Sequence, residues 1–173
     1  MNLFPKVEAI ASARPDDRRF TPSIIVKAIE RLCGMPFTLD VAAESTPGGF
    51  HAPRYFTIED DGLHRSWLTP CMVWCNPPYS DKDAWIEKAA EEAKRGVKGW
   101  IWLPLTADSS RHRLLSRSDG LVMAAWRVQY FSPCGLNTSS PNAVLQAGFA
   151  FGFGRKLGVW QVWEDGSLSE LWR

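Results

Sequence analysis

The chain has 173 residues, of which 45% are hydrophobic and 23% charged, a balance that excludes a disordered protein and is typical of one globular domain. Its formal net charge of +1 excludes a partner held by bulk charge, so any nucleic acid would have to be held by local basic patches. No apolar run approaches the ~20 residues that cross a bilayer, and the start lacks the apolar stretch of a signal peptide, so we expect no membrane segment and a cytoplasmic location.

Three segments near the amino terminus predict an arm, a helix and a strand. Residues 1–19 combine prolines with a mixed run of charges and show no periodicity, so we expect a flexible arm ahead of a single domain over residues 20–173. The segment TPSIIVKAIERLCG predicts a helix with Thr21 as its N-cap and Pro22 as its first residue. FTLDVAA follows as a short strand that ends in an acid, Asp40.

The middle of the chain predicts a buried parallel sheet covered by helices. MVWC and GWIWLPL are apolar along their whole length, which is typical of strands buried on both faces, and SDKDAWIEKAAEEAKRG between them predicts a helix. Beyond residue 120 the pattern is rich in strands, with a hairpin turn at Glu164-Asp165-Gly166. The predicted fold class is therefore α/β, with a mostly parallel central sheet and an antiparallel β-rich C-terminal part.

Two residue types that often mark functional sites are expected to be structural here. Cys71 and Cys75 form no C-x-x-C pair and flank an apolar run, so we expect buried thiols and no metal site. Most of the nine tryptophans are expected to pack rather than to stack on nucleic acid, both in the core, as for Trp74, and near the C terminus, as for Trp163 and Trp172.

The stretch Asn76-Pro77-Pro78-Tyr79 follows a buried strand, and the carboxyl ends of parallel strands are where open α/β sheets bind ligands. Its two prolines fix two φ angles and remove two backbone donors, so the turn is stiff and rich in acceptors. The Asn76 side-chain oxygen and the Pro77 carbonyl can each accept one N–H of a substrate amino group, and the Tyr79 ring can stack on a planar base. The alternative is an ordinary loop that only ends the strand.

This stretch resembles motif IV, [DNS]-P-P-[YFW], of the S-adenosylmethionine-dependent amino-methyltransferases. The resemblance implies that Asn76, Pro77, Pro78 and Tyr79 form the catalytic motif. The form with asparagine is common in DNA adenine N6-methyltransferases, and it also occurs in enzymes that methylate protein glutamine or bases in RNA. The tetrapeptide alone therefore leaves the substrate class open.

Further matches follow in the order of the phage-type DNA N6-adenine methyltransferases, often called the phage Dam family. FTP before the first helix resembles motif X, FTLDVAA resembles a diverged motif I, and EDDGLHRSW occupies the place of motif III. The resemblance runs from about residue 20 to residue 152 and implies a Rossmann-like fold, S-adenosylmethionine as cofactor, and methyl transfer to adenine in DNA. The cofactor contacts that it implies are Phe20, Thr21, Pro22, Asp40, Ala42, Ala43, Asp60, Asp61 and Asn76.

A departure from the family pattern keeps rival functions open. Motif I usually carries a glycine-rich loop soon after its acid, but here Gly48 and Gly49 come late. This departure favours a relative that binds DNA without catalysis. Within enzymes, the rival is a methyltransferase that acts on RNA or on protein glutamine.

DNA would have to be held so that its target adenine, flipped out of the duplex, reaches Asn76. We expect a basic cluster after the strand IWLPL to emerge at the same sheet edge as Asn76 and to contact phosphates, which adds salt-dependent affinity without reading sequence. The cluster consists of Arg111, His112, Arg113 and Arg117.

Overall fold

The computed structural model describes residues 20–44, 52–105, 116–128 and 145–172. Within these ranges, eight strands form one sheet, against which the helices α1 (Ser23–Cys33) and α2 (Lys82–Lys94) pack, and the 3₁₀ turn Tyr79–Asp81 precedes α2. Neither helix is long and apolar enough to cross a membrane. The strands are β1 (Phe37–Asp40), β2 (Arg54–Tyr55), β3 (Met72–Cys75), β4 (Lys98–Pro104), β5 (Gly120–Ala124), β6 (Gln146–Phe151), β7 (Gly158–Val162) and β8 (Leu168–Trp172).

Helix α1 forms because its apolar residues recur at helical spacing and face the sheet. Ile25, Ala28 and Ile29 are fully buried. Gly34 ends the helix in the left-handed conformation (φ 66°), and its N–H donates to the Glu30 carbonyl oxygen over 2.9 Å. The predicted helix and its glycine end are confirmed.

The start of α1 differs from the sequence prediction. Pro22 is extended (φ −56°, ψ 129°) and is itself the N-cap residue, so the helix begins at Ser23. Thr21 is therefore not the N-cap, and no side chain among the described residues caps this helix end. The prediction is wrong because the proline ring fixes φ but leaves ψ free, and ψ decides whether the residue belongs to the helix.

The sheet has the strand order β2-β1-β3-β4-β6-β5-β7-β8. As predicted, the strands β1 to β4 are parallel and β7 and β8 form an antiparallel hairpin, while β6 runs antiparallel between β4 and β5. The C-terminal part is not wholly antiparallel, however, because β5 and β7 are parallel neighbours.

A loop around the start of β5 creates this parallel pair. The chain leaves β6 at Phe151, turns at Gly152 (φ 75°), and passes the start of β5 before it enters β7. Asp119 fixes the crossing, because its carboxylate accepts from the Phe153 N–H over 2.8 Å and its carbonyl accepts from the Leu157 N–H over 2.7 Å. For this one pair the antiparallel expectation is wrong, because sequence patterns do not show that the loop skips a strand.

Two hydrophobic cores lie on opposite faces of the sheet. Trp74, Trp100 and Trp102 are at most 1% exposed and pack with α1 on one face. Ile101 and Phe149 pack with α2 on the other face. The expected burial of the tryptophans in the central strands is confirmed.

Two tryptophans near the C terminus do not pack as expected. Trp163 is 45% exposed and Trp172 is 76% exposed. Trp172 is exposed because β8 is the last strand of the sheet and its residues become more exposed towards its end, whereas Trp163 lies in the turn between β7 and β8.

The strands β1, β3 and β4 end at one side of the sheet, with Asp40, Cys75 and Pro104 as their last residues; we call this side the carboxyl edge. Helix α1 leads into β1 through the short turn 34–36, so its first turn lies near the carboxyl edge, and α2 begins there because it follows β3. Since β6 is antiparallel, its first residue, Gln146, lies at the same edge, opposite Pro104.

Candidate active site

The segment Phe20-Thr21-Pro22 lies directly before α1, near the carboxyl edge. Phe20 and Thr21 are only 7% and 5% exposed. The Thr21 hydroxyl is buried and has no hydrogen-bond partner among the described residues. A buried polar atom without a partner costs about 1–3 kcal/mol. A polar ligand that pairs with Thr21 Oγ1 would therefore be stabilised.

Asp40 ends β1 as a buried acid. It is 5% exposed, and its Oδ1 accepts a hydrogen bond from the Ala42 N–H over 3.1 Å. Burial raises the pKa of Asp40 to about 7, and the Ala42 hydrogen bond offsets only part of this effect. The site thus contains a carboxyl group whose charge responds to a neighbouring cation near neutral pH.

The chain after β1 is held by the extension of the two-residue strand β2. The Phe56 N–H donates to the Asp40 carbonyl oxygen over 2.8 Å, and the Phe56 carbonyl accepts from the Ala43 N–H over 2.9 Å. Ala42 and Ala43 are half-buried. The predicted cofactor contacts after β1 therefore belong to a turn with fixed backbone partners, even though Gly48 and Gly49 lie outside the described residues.

The carboxylate of Asp60 is engaged within its own turn. It accepts from the Thr57 N–H over 3.0 Å and from the Thr57 hydroxyl over 3.1 Å, and these two bonds hold the pKa of Asp60 below its usual value. Arg65 lies 3.7 Å from its other oxygen. The Asp60 carboxylate therefore stabilises its own turn.

Asp61 lies in a turn that packs against the end of β1. Its φ is +54°, and its Oδ2 pairs with His64 Nδ1 at 2.6 Å. Gly62 follows, and a Cβ built on it would lie 2.1 Å from the Val41 carbonyl oxygen. The buried Trp67 indole N–H donates to the Gly62 carbonyl over 2.7 Å. These contacts bring the Asp61 backbone next to the turn that follows Asp40.

Asn76-Pro77-Pro78-Tyr79 connects β3 to α2. Asn76 is half-buried and Pro77 is buried. Pro78 is extended (φ −54°, ψ 129°), and its carbonyl accepts the Asp81 N–H over 3.3 Å. The Pro78 carbonyl therefore stabilises the 3₁₀ turn, and the Asn76 side chain and the Pro77 carbonyl stay the predicted acceptors for an amine.

Tyr79 has a partner that sequence reasoning missed. Its hydroxyl donates to Gln146 Oε1 over 3.1 Å, across 67 residues of chain. Gln146 is 1% exposed and opens β6 at the carboxyl edge. No sequence signal identifies it, because it lies at the edge only through the antiparallel insertion of β6 beside β4.

The predicted phosphate-binding cluster is only partly described. Arg111, His112 and Arg113 lie outside the described residues. Arg117 precedes β5, whose first residue lies at the side of the sheet opposite to the carboxyl edge, so this arginine does not emerge beside Asn76 as expected. Its guanidinium donates to Glu87 Oε2 over 2.8 Å.

The described residues contain no group of three or more His, Cys, Asp or Glu side chains that could hold a metal ion. Cys75 is buried, and burial together with the nearby Asp40 charge raises the pKa of its thiol. Cys71 is half-buried. Cys75 is accordingly a structural thiol rather than a reactive one.

These features define a mixed α/β protein with one eight-stranded sheet and a polar cluster at the carboxyl edge of that sheet. The chain matches the family described as DNA N-6-adenine-methyltransferase (Dam) over residues 11–119, which is more than half of its length. It belongs to this family and is a DNA adenine-N6 methyltransferase. None of the curated proteins matches the chain. The matched region includes all predicted site residues and ends before Gln146.

Proposed function

We propose that this enzyme transfers the methyl group of S-adenosylmethionine to an adenine amine held by Asn76 and Pro77, on a Rossmann-like fold. One observation carries the proposal: the Asn76-Pro77-Pro78-Tyr79 turn follows the fully buried strand β3, between β1 and β4, at the carboxyl edge. Open α/β sheets bind their ligands at this edge. Membership of the Dam family supports the reaction itself.

The residues at the carboxyl edge fit the proposed cofactor, which is a cation at its sulfur and its amino group. The pKa of the buried Asp40 is raised to about 7, so a neighbouring cation would favour its ionised form. The buried Thr21 hydroxyl offers a hydrogen-bonding atom that no described residue uses. Asp61, in the turn packed on β1, is the proposed acid for the adenosine part. When bound, the cofactor supplies an electrophilic methyl group on a good leaving group.

Asn76 and Pro77 would act on the amine as two acceptors. Each accepts one N–H, which holds the amine so that its nitrogen lone pair is directed at the methyl group. The prolines keep both acceptors in place, because two fixed φ angles leave the turn little freedom. Orientation would then supply much of the acceleration, since the amine and the methyl group need not be brought together by diffusion. The methylated amine would carry a positive charge and release one proton to solvent, so this mechanism requires no general base with an unusual pKa.

Tyr79 would stack on the target adenine after it leaves the duplex. Flipping a base costs a few kcal/mol, and stacking on an aromatic side chain returns about 1–3 kcal/mol. Arg111, His112 and Arg113 are the proposed phosphate contacts. Arg117 is not among them, because it precedes β5 at the opposite side of the sheet and Glu87 pairs with its guanidinium.

The test is methyl transfer from labelled S-adenosylmethionine to unmethylated double-stranded DNA, with the product nucleosides separated. We expect the label on N6-methyladenine, and calorimetry should detect cofactor binding without DNA. Fully adenine-methylated DNA of the same sequence is the matched control and should accept no label. Cofactor binding without label in any adenine of the unmethylated DNA would contradict the proposal.

A further inference from the structure

We propose that Gln146 is a positioning residue that fixes the Tyr79 ring as the stacking surface for the target base. The inference rests on the proposed function, because it requires Tyr79 to contact the flipped adenine. Its basis is the hydrogen bond from the Tyr79 hydroxyl to Gln146 Oε1, 3.1 Å long, which joins the β3–α2 turn to the first residue of β6. The matched family region ends at residue 119, so the family assignment gives no role to Gln146.

The Tyr79 ring is held at both of its ends. At the backbone end, Pro78 is extended (φ −54°), and its carbonyl accepts the Asp81 N–H over 3.3 Å, which closes the 3₁₀ turn that Tyr79 begins. At the other end, the hydroxyl is bonded to Gln146. The ring itself is half-buried and packs against the core that includes Cys75 and Trp85.

Gln146 is itself held firmly enough to serve as an anchor. It is 1% exposed. The ladder between β4 and β6 pairs Gln146 with Pro104, and the Leu105 N–H donates to the Leu145 carbonyl over 2.7 Å just beyond that pair. The anchor therefore belongs to a central strand pair and not to the turn that it holds.

Fixing the ring in advance has a kinetic consequence. A free tyrosine side chain must give up rotamer freedom when a base stacks on it, whereas a side chain already held by a hydrogen bond gives up little. Loss of one ordinary hydrogen bond corresponds to about a three- to tenfold change in an equilibrium. We expect a decrease of this size in kcat/KM when the Tyr79–Gln146 bond is removed, with cofactor affinity unchanged.

The experiment is a double-mutant cycle on the full chain, with unmethylated double-stranded DNA as substrate. Tyr79→Phe keeps the ring and removes the hydroxyl, and Gln146→Met keeps the side-chain length and removes the acceptor. Each single variant should lose about three- to tenfold in kcat/KM, and the double variant should lose no more than either single one. The matched control is Gln161→Met in β7, a half-buried glutamine two strands away from β6 in the sheet, which should keep parental activity.

Two results separate the failure of this inference from the failure of the proposed function. Tyr79→Ala removes the ring and should lower kcat/KM further than Tyr79→Phe. If Tyr79→Ala is fully active, the stacking role of Tyr79 in the proposed function is wrong. If Tyr79→Ala is impaired while Gln146→Met is fully active, or if the two losses multiply in the double variant, only the role of Gln146 is wrong.

A spectroscopic measurement covers the case in which Gln146→Met lowers activity by disturbing the fold. The chain contains three tyrosines, so labelling with 3-fluorotyrosine gives three ¹⁹F signals, and Tyr79→Phe identifies one of them. Gln146→Met should move or broaden the Tyr79 signal and leave the other two in place. An unchanged Tyr79 signal would overturn the inference, as would equal changes in all three signals.

Discussion

Gly62 packs directly against the carbonyl oxygen of Val41, the first residue after β1. A Cβ at position 62 would lie 2.1 Å from that oxygen and 3.0 Å from the Trp85 ring. The Trp67 indole N–H donates to the Gly62 carbonyl oxygen over 2.7 Å. This close approach fixes the turn that carries Asp61 beside the turn that follows Asp40.

Replacing Gly62 by alanine should displace the Asp61 turn. Because the added methyl group meets backbone rather than a flexible side chain, we expect the free energy of unfolding to fall by about 3 kcal/mol or more. Affinity for S-adenosylmethionine should fall at least about tenfold. Denaturant unfolding and calorimetry measure the two effects.

Gly154→Ala is the control for Gly62→Ala. The added methyl group meets only open space, so the strain of the positive φ (64°) should cost about 1 kcal/mol and leave cofactor affinity intact. Equal effects of the two variants would contradict the role given to Gly62.

Asn76→Ala should remove one of the two amine acceptors. We expect the rate of methyl transfer to fall at least about a hundredfold, as for other polar groups that act on the reacting atoms. The free energy of unfolding should change little, because Asn76 is only half-buried, and much of the cofactor affinity should remain. Asn76→Asp keeps an acceptor oxygen and should retain more activity than Asn76→Ala. Parental turnover by Asn76→Ala would exclude the proposed grip on the amine.

Asp40 should make the protein less stable as the pH rises from about 4 to 7. Its folded-state pKa is about 7 against an ordinary value of 3.8, so in this range the folded protein binds a proton that the unfolded chain has lost. The free energy of unfolding therefore falls with rising pH through this window, by up to about 4 kcal/mol, and levels off above pH 7.

The measurement for Asp40 is denaturant unfolding at several pH values. Asp40→Asn should flatten the fall between pH 4 and 7. Asp165→Asn is the control, because hydrogen bonds from Ser167 lower the pKa of Asp165 and its contribution changes only below about pH 4. If Asp40→Asn keeps the parental slope, the carboxyl group is ionised in the folded protein.

Arg111→Ala and Arg113→Ala should each weaken DNA binding in a salt-dependent manner. The plot of log affinity against log salt concentration has a negative slope, and loss of one phosphate contact decreases the magnitude of that slope by about 0.9. Arg117→Ala serves as the matched control, since its partner Glu87 lies 2.8 Å away in α2, and it should leave the slope unchanged. Fluorescence anisotropy with a labelled duplex at several salt concentrations measures the slopes. If only Arg117→Ala decreased the magnitude of the slope, Arg117 rather than Arg111 and Arg113 would be the phosphate contact.

The sequence predicts local elements well because their signals are local. The helical spacing of Ile25 and Ile29 predicts α1, and Gly34 predicts its end. The strand tryptophans, such as Trp100, are buried as their apolar surroundings predict. The cap is misplaced by one residue because Pro22 has an extended ψ, which its ring does not dictate.

The candidate site is predictable only where its residues belong to a contiguous motif. Asn76 is found because it follows an apolar strand, and Asp40 because it ends one. Gln146 is missed because it lies 67 residues after Tyr79 in the chain, and only the pairing of β6 with β4 brings the two residues together. The packing of Gly62 on Val41 is equally invisible, since a glycine in a turn-rich segment gives no sign of which backbone it approaches.

The place of β6 in the strand order determines when the chain can fold. β4 ends at residue 104, but its neighbour on one side begins only at residue 146. While the ribosome adds the intervening residues, that side of an apolar strand has no pairing partner, and such strands associate readily with other nascent chains. The segment that carries the family motifs therefore cannot complete its own sheet until β6 has been synthesised.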